Sequence, residues 1–340
     1  MNWFEQLAGF AERSPDQVRS QLKLEGNRLT SRVNGNSWDC GAFKAPMLHD
    51  LRARYEYRLE QLSREQLVPQ LRLREQVADV SRLHADEKNT GALFQVASQF
   101  NLLEMVSPRV TPEQGVGIYE RDKTQGPACA IACGAGTIWR NYFMPLPGQM
   151  GQTETCQFDG LTELGRELGN SNGSLWKMVN GYALASRSGL EHMGQHLQAA
   201  DEQRREALAG FIRVGIQSDT QVTLPGCQHR VSQVYCSALP VAYSQHSVEL
   251  WAEFAQLLLD AAYEATFYVA MENLLEKQQN KVYLTLLGGG AFGNKTEWII
   301  AALRRALLKF AALDLDVVIV SYSQSSAAVQ ELVSEVDAVS

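Results

Sequence analysis

The last third of the chain alternates in a way that few folds accommodate. An apolar run, CSALPVAY (236–243), precedes a long helical stretch from Val248 to Glu276. A second run, VYLTLL (282–287), leads through a glycine cluster to a helical segment from Glu297 to Ala312, and a third run, VVIVSY (317–322), follows. Short apolar runs between segments of helical periodicity read as buried strands joined by crossover helices. The expectation is an α/β domain built on a parallel sheet.

The loop after the second run, GGGAFGN (288–294), offers a strand, a glycine turn and a helix start. Backbone N–H groups and the helix dipole favour an anion there, and phosphate is the first candidate. Two phosphate motifs compete. Gly288, Gly290 and Gly293 satisfy G-x-G-x-x-G, whereas Gly288, Gly293, Lys295 and Thr296 nearly satisfy G-x-x-x-x-G-K-[ST], with Asn294 one residue too many. A dinucleotide fold needs its fingerprint at the first strand and an acidic residue about 20 residues later. Here the last strand ends in Ser321, Tyr322 and Ser323. A P-loop also needs a magnesium-binding aspartate at a strand end and several further strands, and too little chain remains. Neither motif holds.

The same stretch resembles the macrodomain family, and within it the poly(ADP-ribose) glycohydrolases. In that family the penultimate strand ends in a loop of the form G-[A/I/V]-[F/Y]-G that wraps the diphosphate of ADP-ribose, and Gly288 to Asn294 has that form. The resemblance is closest over Cys236 to Tyr322 and extends more weakly back to Gly91. It implies a mixed sheet flanked by helices, with ADP-ribose or an ADP-ribosylated substrate as partner, no cofactor, and hydrolysis of an ADP-ribose linkage. Gly288, Gly289, Gly290, Ala291, Phe292, Gly293 and Asn294 become ligand-binding candidates. Phe292 would pack over the distal ribose or anchor the loop. VASQFN (96–101) looks like the family's first-loop strand, whose terminal asparagine contacts the distal ribose, so Asn101 joins the candidates. Its other reading is a turn residue bonded to its own backbone.

The chain departs from the glycohydrolases at their signature of three glycines followed by Q-E-E, which carries the catalytic glutamate. In its place stand Glu104, TPEQGVG (111–117) and RDKTQGP (121–127). Cleavage at an anomeric carbon needs an acid for the leaving group or a base for water. Glu104, close after Asn101, and Asp122 are the catalytic candidates. Gln125 and Gly126, which complete a compact polar run just before a helix, are added as ligand contacts. The alternatives are a reader that binds ADP-ribose without turnover and an interaction protein with no nucleotide.

The rest of the chain is less specific. Helical spacing at Trp3, Phe4, Leu7 and Phe10, then Ser14-Pro15 opening a second helix, a hairpin or loop over 26–41 and one or two helices over 46–73 suggest that residues 1–90 form a mainly helical elaboration. Residues 91–340 are then the macrodomain-like α/β core, with a middle insertion that includes a short helix over 176–190. His192 and His196 share a helix face but lack a third ligand, and the six cysteines show no metal spacing, so no metal is expected. A net charge of −7 argues against broad nucleic-acid binding. No run is long enough for a membrane helix and no secretory signal is visible, so the expected location is cytoplasmic.

Overall fold

The structure is a computed structural model that describes residues 1–66 and 68–338. At its centre lies a seven-stranded mixed sheet. In chain order the strands are β1 (Ala42–Lys44), β2 (Arg72–Val77), β3 (Leu93–Ala97), β4 (Gly215–Gln221), β5 (Arg230–Cys236), β6 (Lys281–Thr285) and β7 (Asp316–Ser321), and they lie side by side as β1-β4-β5-β3-β6-β7-β2. The strands β5, β3, β6, β7 and β2 run parallel, β4 is antiparallel to β5, and β1 is antiparallel to β4.

The central strands are apolar because both their faces are covered. On one face lies the helix Ala252–Lys277, which is buried nearly all round and packs against Leu48–Glu65, Arg187–Ala199 and Thr296–Lys309. Glu264 on this helix is buried, yet its carboxylate is met by Arg52 at 2.6 Å and Lys309 at 2.8 Å. Burial alone would raise its pKa, but those two cations hold it below the ordinary carboxylate range. On the other face, Val80–Ala85, Gln125–Ala132 and Gly134–Tyr142 form a layer around Phe94, Val96, Cys129, Cys133 and Tyr235. No helix among the described residues is long and apolar enough to cross a membrane.

The first 90 residues contribute both edge strands of the sheet, as well as helices Trp3–Ala8 and Pro15–Gln21 and a small antiparallel sheet. The stretch 46–73, expected to hold one or two helices, holds one among the described residues, Leu48–Glu65, and enters β2 at Arg72. RLREQV is polar because an edge strand buries little: Leu73 alone of β2 is fully buried. The expected helix over 176–190 is instead a hairpin, Trp176–Val179 paired with Tyr182–Ala185, before the helix Arg187–Ala199 begins. Its turn, Asn180-Gly181, has positive φ at both residues (47° and 81°), the type I′ geometry that Asn-Gly favours. The expected strand over 236–243 is displaced: β5 ends at Cys236, and CSALPVAY is mostly the loop that crosses above the sheet. The strand β4 and the helix Ala327–Asp337 were not foreseen.

Candidate functional site

Ligands of open α/β sheets bind outside the carboxyl ends of parallel strands. Here the segments leaving β5, β3, β6 and β7 surround one cleft of about 790 Å³. Of the candidates, Glu104, Asp122, Gln125, Gly126 and Gly288 to Phe292 line it. Asn101, Gly293 and Asn294 are not part of the lining.

The glycine loop divides its work. Gly288 has φ +74°, and a Cβ there would stand 2.5 Å from that of Ala238; Gly293 has φ +71° and would meet Ala242 at 2.9 Å. These two glycines are required by the backbone path and by close packing. Asn294 latches the loop, its amide donating to Leu239 O at 2.8 Å and its backbone N–H to Gly288 O at 2.9 Å. The Gly289 N–H closes a turn on Leu286 O at 3.0 Å, so it is already occupied. The N–H groups of Gly290, Ala291 and Phe292 have no acceptor among the described residues, and a Cβ on Gly290 would meet nothing within 4 Å. A backbone with free donors, open space above and the start of helix Thr296–Lys309 beside it is suited to an anion. Lys295 lies outside this lining and pairs with Glu249 at 3.2 Å.

The opposite wall is built by side chains. After β3 the chain turns through Gln99 to Met105: Gln99 N–H donates to Leu103 O at 2.9 Å, Leu103 N–H to the Asn101 side chain at 3.1 Å, and Met105 N–H to the Gln99 amide at 2.6 Å. Asn101 is fully buried; its amide donates to Gln157 at 2.8 Å, and Gln157 donates to Asn180 at 2.8 Å. It therefore ties the turn to the middle segment and stands away from the cleft surface, the turn reading of this residue.

Glu104 is 5% exposed, and its Oε1 is buried with no hydrogen-bond partner among the described residues. Its backbone N–H donates to the Tyr119 hydroxyl at 3.1 Å. Burial pushes the carboxyl well above its ordinary range; Arg140 opposes that shift and Asp122 adds to it. Gly126 lies against it: a Cβ there would strike Ala97 O and come within 2.7 Å of Glu104 Oε2. Asp122 is partly exposed and accepts the Thr124 N–H at 2.9 Å, while the Gln125 side chain accepts from Val80 N–H at 3.1 Å.

The first residues of the chain brace this wall. The Glu12 carboxylate accepts the N–H groups of Val116 and Gly117 at 2.9 and 2.7 Å and the Tyr142 hydroxyl at 2.6 Å, and the Trp3 indole donates to Val116 O at 3.0 Å. These contacts hold the segment that carries Tyr119 and Asp122.

Sequence reasoning missed two parts of the cleft. Tyr182, from the Asn-Gly hairpin, packs with Tyr243 and Phe292 at ring separations of 5.2 and 5.3 Å, and its hydroxyl donates to Met105 O at 2.6 Å. The Asn180-Gly181 pair was the signal for that hairpin. At the far end, Ser321 to Ser326 follow β7, gathered by Glu75, which accepts from the Ser321 and Ser325 hydroxyls and from Ser326 N–H. Burial raises the Glu75 pKa, and those three donors more than offset it, leaving it below the ordinary range.

No family model matches the chain. No curated protein matches it either. Solved structures do. Poly(ADP-ribose) glycohydrolase from Deinococcus radiodurans in complex with ADP-ribose is 11% identical, with 88% of this chain and 96% of that one covered at a TM-score of 0.47. The enzyme from Thermomonospora curvata is 12% identical as a point mutant (95% and 97% covered, TM-score 0.45) and 12% identical bound to the inhibitor ADP-HPD (94% and 97% covered, TM-score 0.43). These three solved structures to which the chain is similar are poly(ADP-ribose) glycohydrolases.

Proposed function

We propose that the cleft binds ADP-ribose and that the protein hydrolyses an ADP-ribose linkage, with Glu104 as the general acid. One observation carries the reading: a buried carboxyl with an unpartnered oxygen shares a cleft with the free N–H groups of Gly290, Ala291 and Phe292. The glycine loop takes the diphosphate, and the distal ribose then falls toward Phe292 and Glu104. A carboxyl whose pKa is raised by burial keeps its proton to higher pH than an ordinary carboxylic acid and can hand it to the leaving oxygen as the anomeric C–O bond breaks. The resulting carboxylate accepts a proton from the water that attacks the anomeric carbon, which restores the acid. Asp122, partly exposed on the same wall, contributes negative charge as the ribose gains oxocarbenium character.

The ligand is ADP-ribose or an ADP-ribosylated substrate, and the acidic chain is not built for broad contact with nucleic acid. Its six free cysteines suit a reducing compartment, and we place it in the cytoplasm. The rival reading, a reader without turnover, is favoured by the lack of Q-E-E and by the single buried carboxylate in the cleft.

The test is release of free ADP-ribose from poly(ADP-ribose), mono-ADP-ribosylated protein and ADP-ribosylated nucleic acid. Glu104→Gln is expected to lower turnover by roughly 10²–10⁴-fold while ADP-ribose affinity changes little. Asp122→Asn is expected to have a smaller effect. Release that survives in Glu104→Gln removes the proposed acid; ADP-ribose binding without release from any substrate decides for the reader.

A further inference from the structure

Arg140 lies on the helix Gly134–Tyr142, behind the loop that carries Glu104, and is 1% exposed. Its Nε donates to Leu102 O at 3.0 Å and one terminal nitrogen to the Thr137 hydroxyl at 3.0 Å; the other approaches the Gln217 amide oxygen at 3.5 Å. The guanidinium carbon sits 3.7 Å from the centre of the Tyr235 ring. Among the described residues no carboxylate comes within ion-pair distance of it. Burying such a cation costs several kcal/mol unless its surroundings use the charge.

Two features show what the charge and the donors do. Leu102 has φ +63°, a conformation that a bulky residue adopts only when its surroundings impose it, and its carbonyl is the one Arg140 holds. That residue reverses the chain two positions before Glu104. The ionisable groups that face Glu104 are Asp122 and Tyr119 from the 117–122 turn, Cys129 from Gln125–Ala132, Tyr182 from the hairpin and Tyr235 from β5. Arg140, from the helix Gly134–Tyr142, acts on Glu104 with the opposite sign of charge.

The geometry points to Arg140 as a positioning residue for Glu104, locking the Leu102 turn that aims the carboxyl into the cleft and supplying the positive charge behind it. This inference rests on the reading of Glu104 as the acid. The charge stabilises the carboxylate that remains after proton donation, and so fixes the pH above which the acid is spent.

Two variants separate the charge from the lock. Arg140→Gln keeps an N–H donor and loses the charge; Arg140→Lys keeps the charge and loses the directed Nε donor. The measurement is a ¹³C NMR titration of the side-chain carboxyls, with the Glu104 signal assigned through Glu104→Gln, alongside the pH profile of ADP-ribose release. In Arg140→Gln the Glu104 titration and the alkaline limb of the profile are expected to move up by roughly one unit. In Arg140→Lys the titration stays near wild type, while kcat falls roughly ten- to a hundredfold at nearly unchanged KM. An unmoved Glu104 titration in Arg140→Gln overturns the inference. If Arg140→Gln does not fold, Arg140→Lys decides: a fall in kcat at constant KM supports the lock, and wild-type kcat overturns it. A wild-type protein that releases no ADP-ribose, together with a shifted titration in Arg140→Gln, would sink the hydrolase reading and leave the Arg140–Glu104 coupling standing.

Discussion

The two walls of the cleft are made by opposite means. The glycine loop is a backbone device: Gly288 and Gly293 set its path, and the N–H groups of Gly290 to Phe292 face outward unused. The Glu104 wall is a side-chain device, in which Asn101, Gln157, Tyr119 and Arg140 fix the turn from Gln99 to Met105 and Glu12 holds the segment that carries Tyr119. A backbone anion site needs little support beyond its own local conformation. A carboxyl whose pKa is pushed up needs a dry, crowded environment, which only distant segments can supply.

The largest expected effect tests whether the loop is a backbone device. Gly290→Val is expected to abolish the stabilisation that ADP-ribose confers, about 2.7 kcal/mol at a hundred times Kd, with an unchanged circular dichroism spectrum, because a side chain there meets only the space the ligand would fill. Undiminished ligand stabilisation of this variant would take the loop out of the site. Gly293→Val should behave differently. Its positive φ and its approach to Ala242 predict a loss of roughly 1–3 kcal/mol in denaturant unfolding without ligand, so this substitution breaks the loop rather than probing it.

On the other wall, Asn101→Ala is expected to cost roughly 1–3 kcal/mol of stability by leaving the Leu103 N–H and the Gln157 amide without their partner, while ADP-ribose affinity stays within a few-fold of wild type. A large loss of affinity at unchanged stability would return Asn101 to the ribose. The smallest effect is a change of slope. Because burial raises the Glu104 pKa in the folded state, its contribution to stability is complete below the unfolded value of about 4.3 and is lost as pH rises through the folded pKa. Glu104→Gln should therefore gain stability relative to wild type on going from pH 4.5 to pH 8, as read from paired melting curves. Parallel curves would mean that the carboxyl is not held protonated by the fold.

Legibility followed the same division. The order of strand and helix after residue 236 could be read because strands buried on both faces, such as VVIVS in β7, must be continuously apolar. The edge strand β2 went unread because it is half-exposed and carries charge, and β4, with Ser218, Asp219 and Thr220 inside it, has no apolar run to mark it. The hairpin 176–185 was readable from its Asn-Gly turn; helical spacing in the residues that follow obscured it. Glu104, Asp122, Gln125 and Gly126 were singled out from their place after a strand and before a helix, and the structure brings them to one cleft. Tyr182 and Tyr243 carried no local signal, since an aromatic residue in a hairpin or a short turn is usually core.

The sequence by itself determined what depends on the backbone of a few neighbouring residues: a glycine loop at a strand end, with a helix behind it. It also determined the α/β alternation that places that loop at the carboxyl ends of parallel strands, where ligands collect. The local turn at Gly289 decided which N–H groups stay free, since that residue spends its own on Leu286. Tertiary structure decided that Asn101 is buried and bonded to Gln157 and to the Leu103 N–H. Above all it decided the upward shift of the Glu104 pKa, because desolvation and the charge of Arg140 act through space, and the residues responsible are near the carboxyl only after the chain has folded.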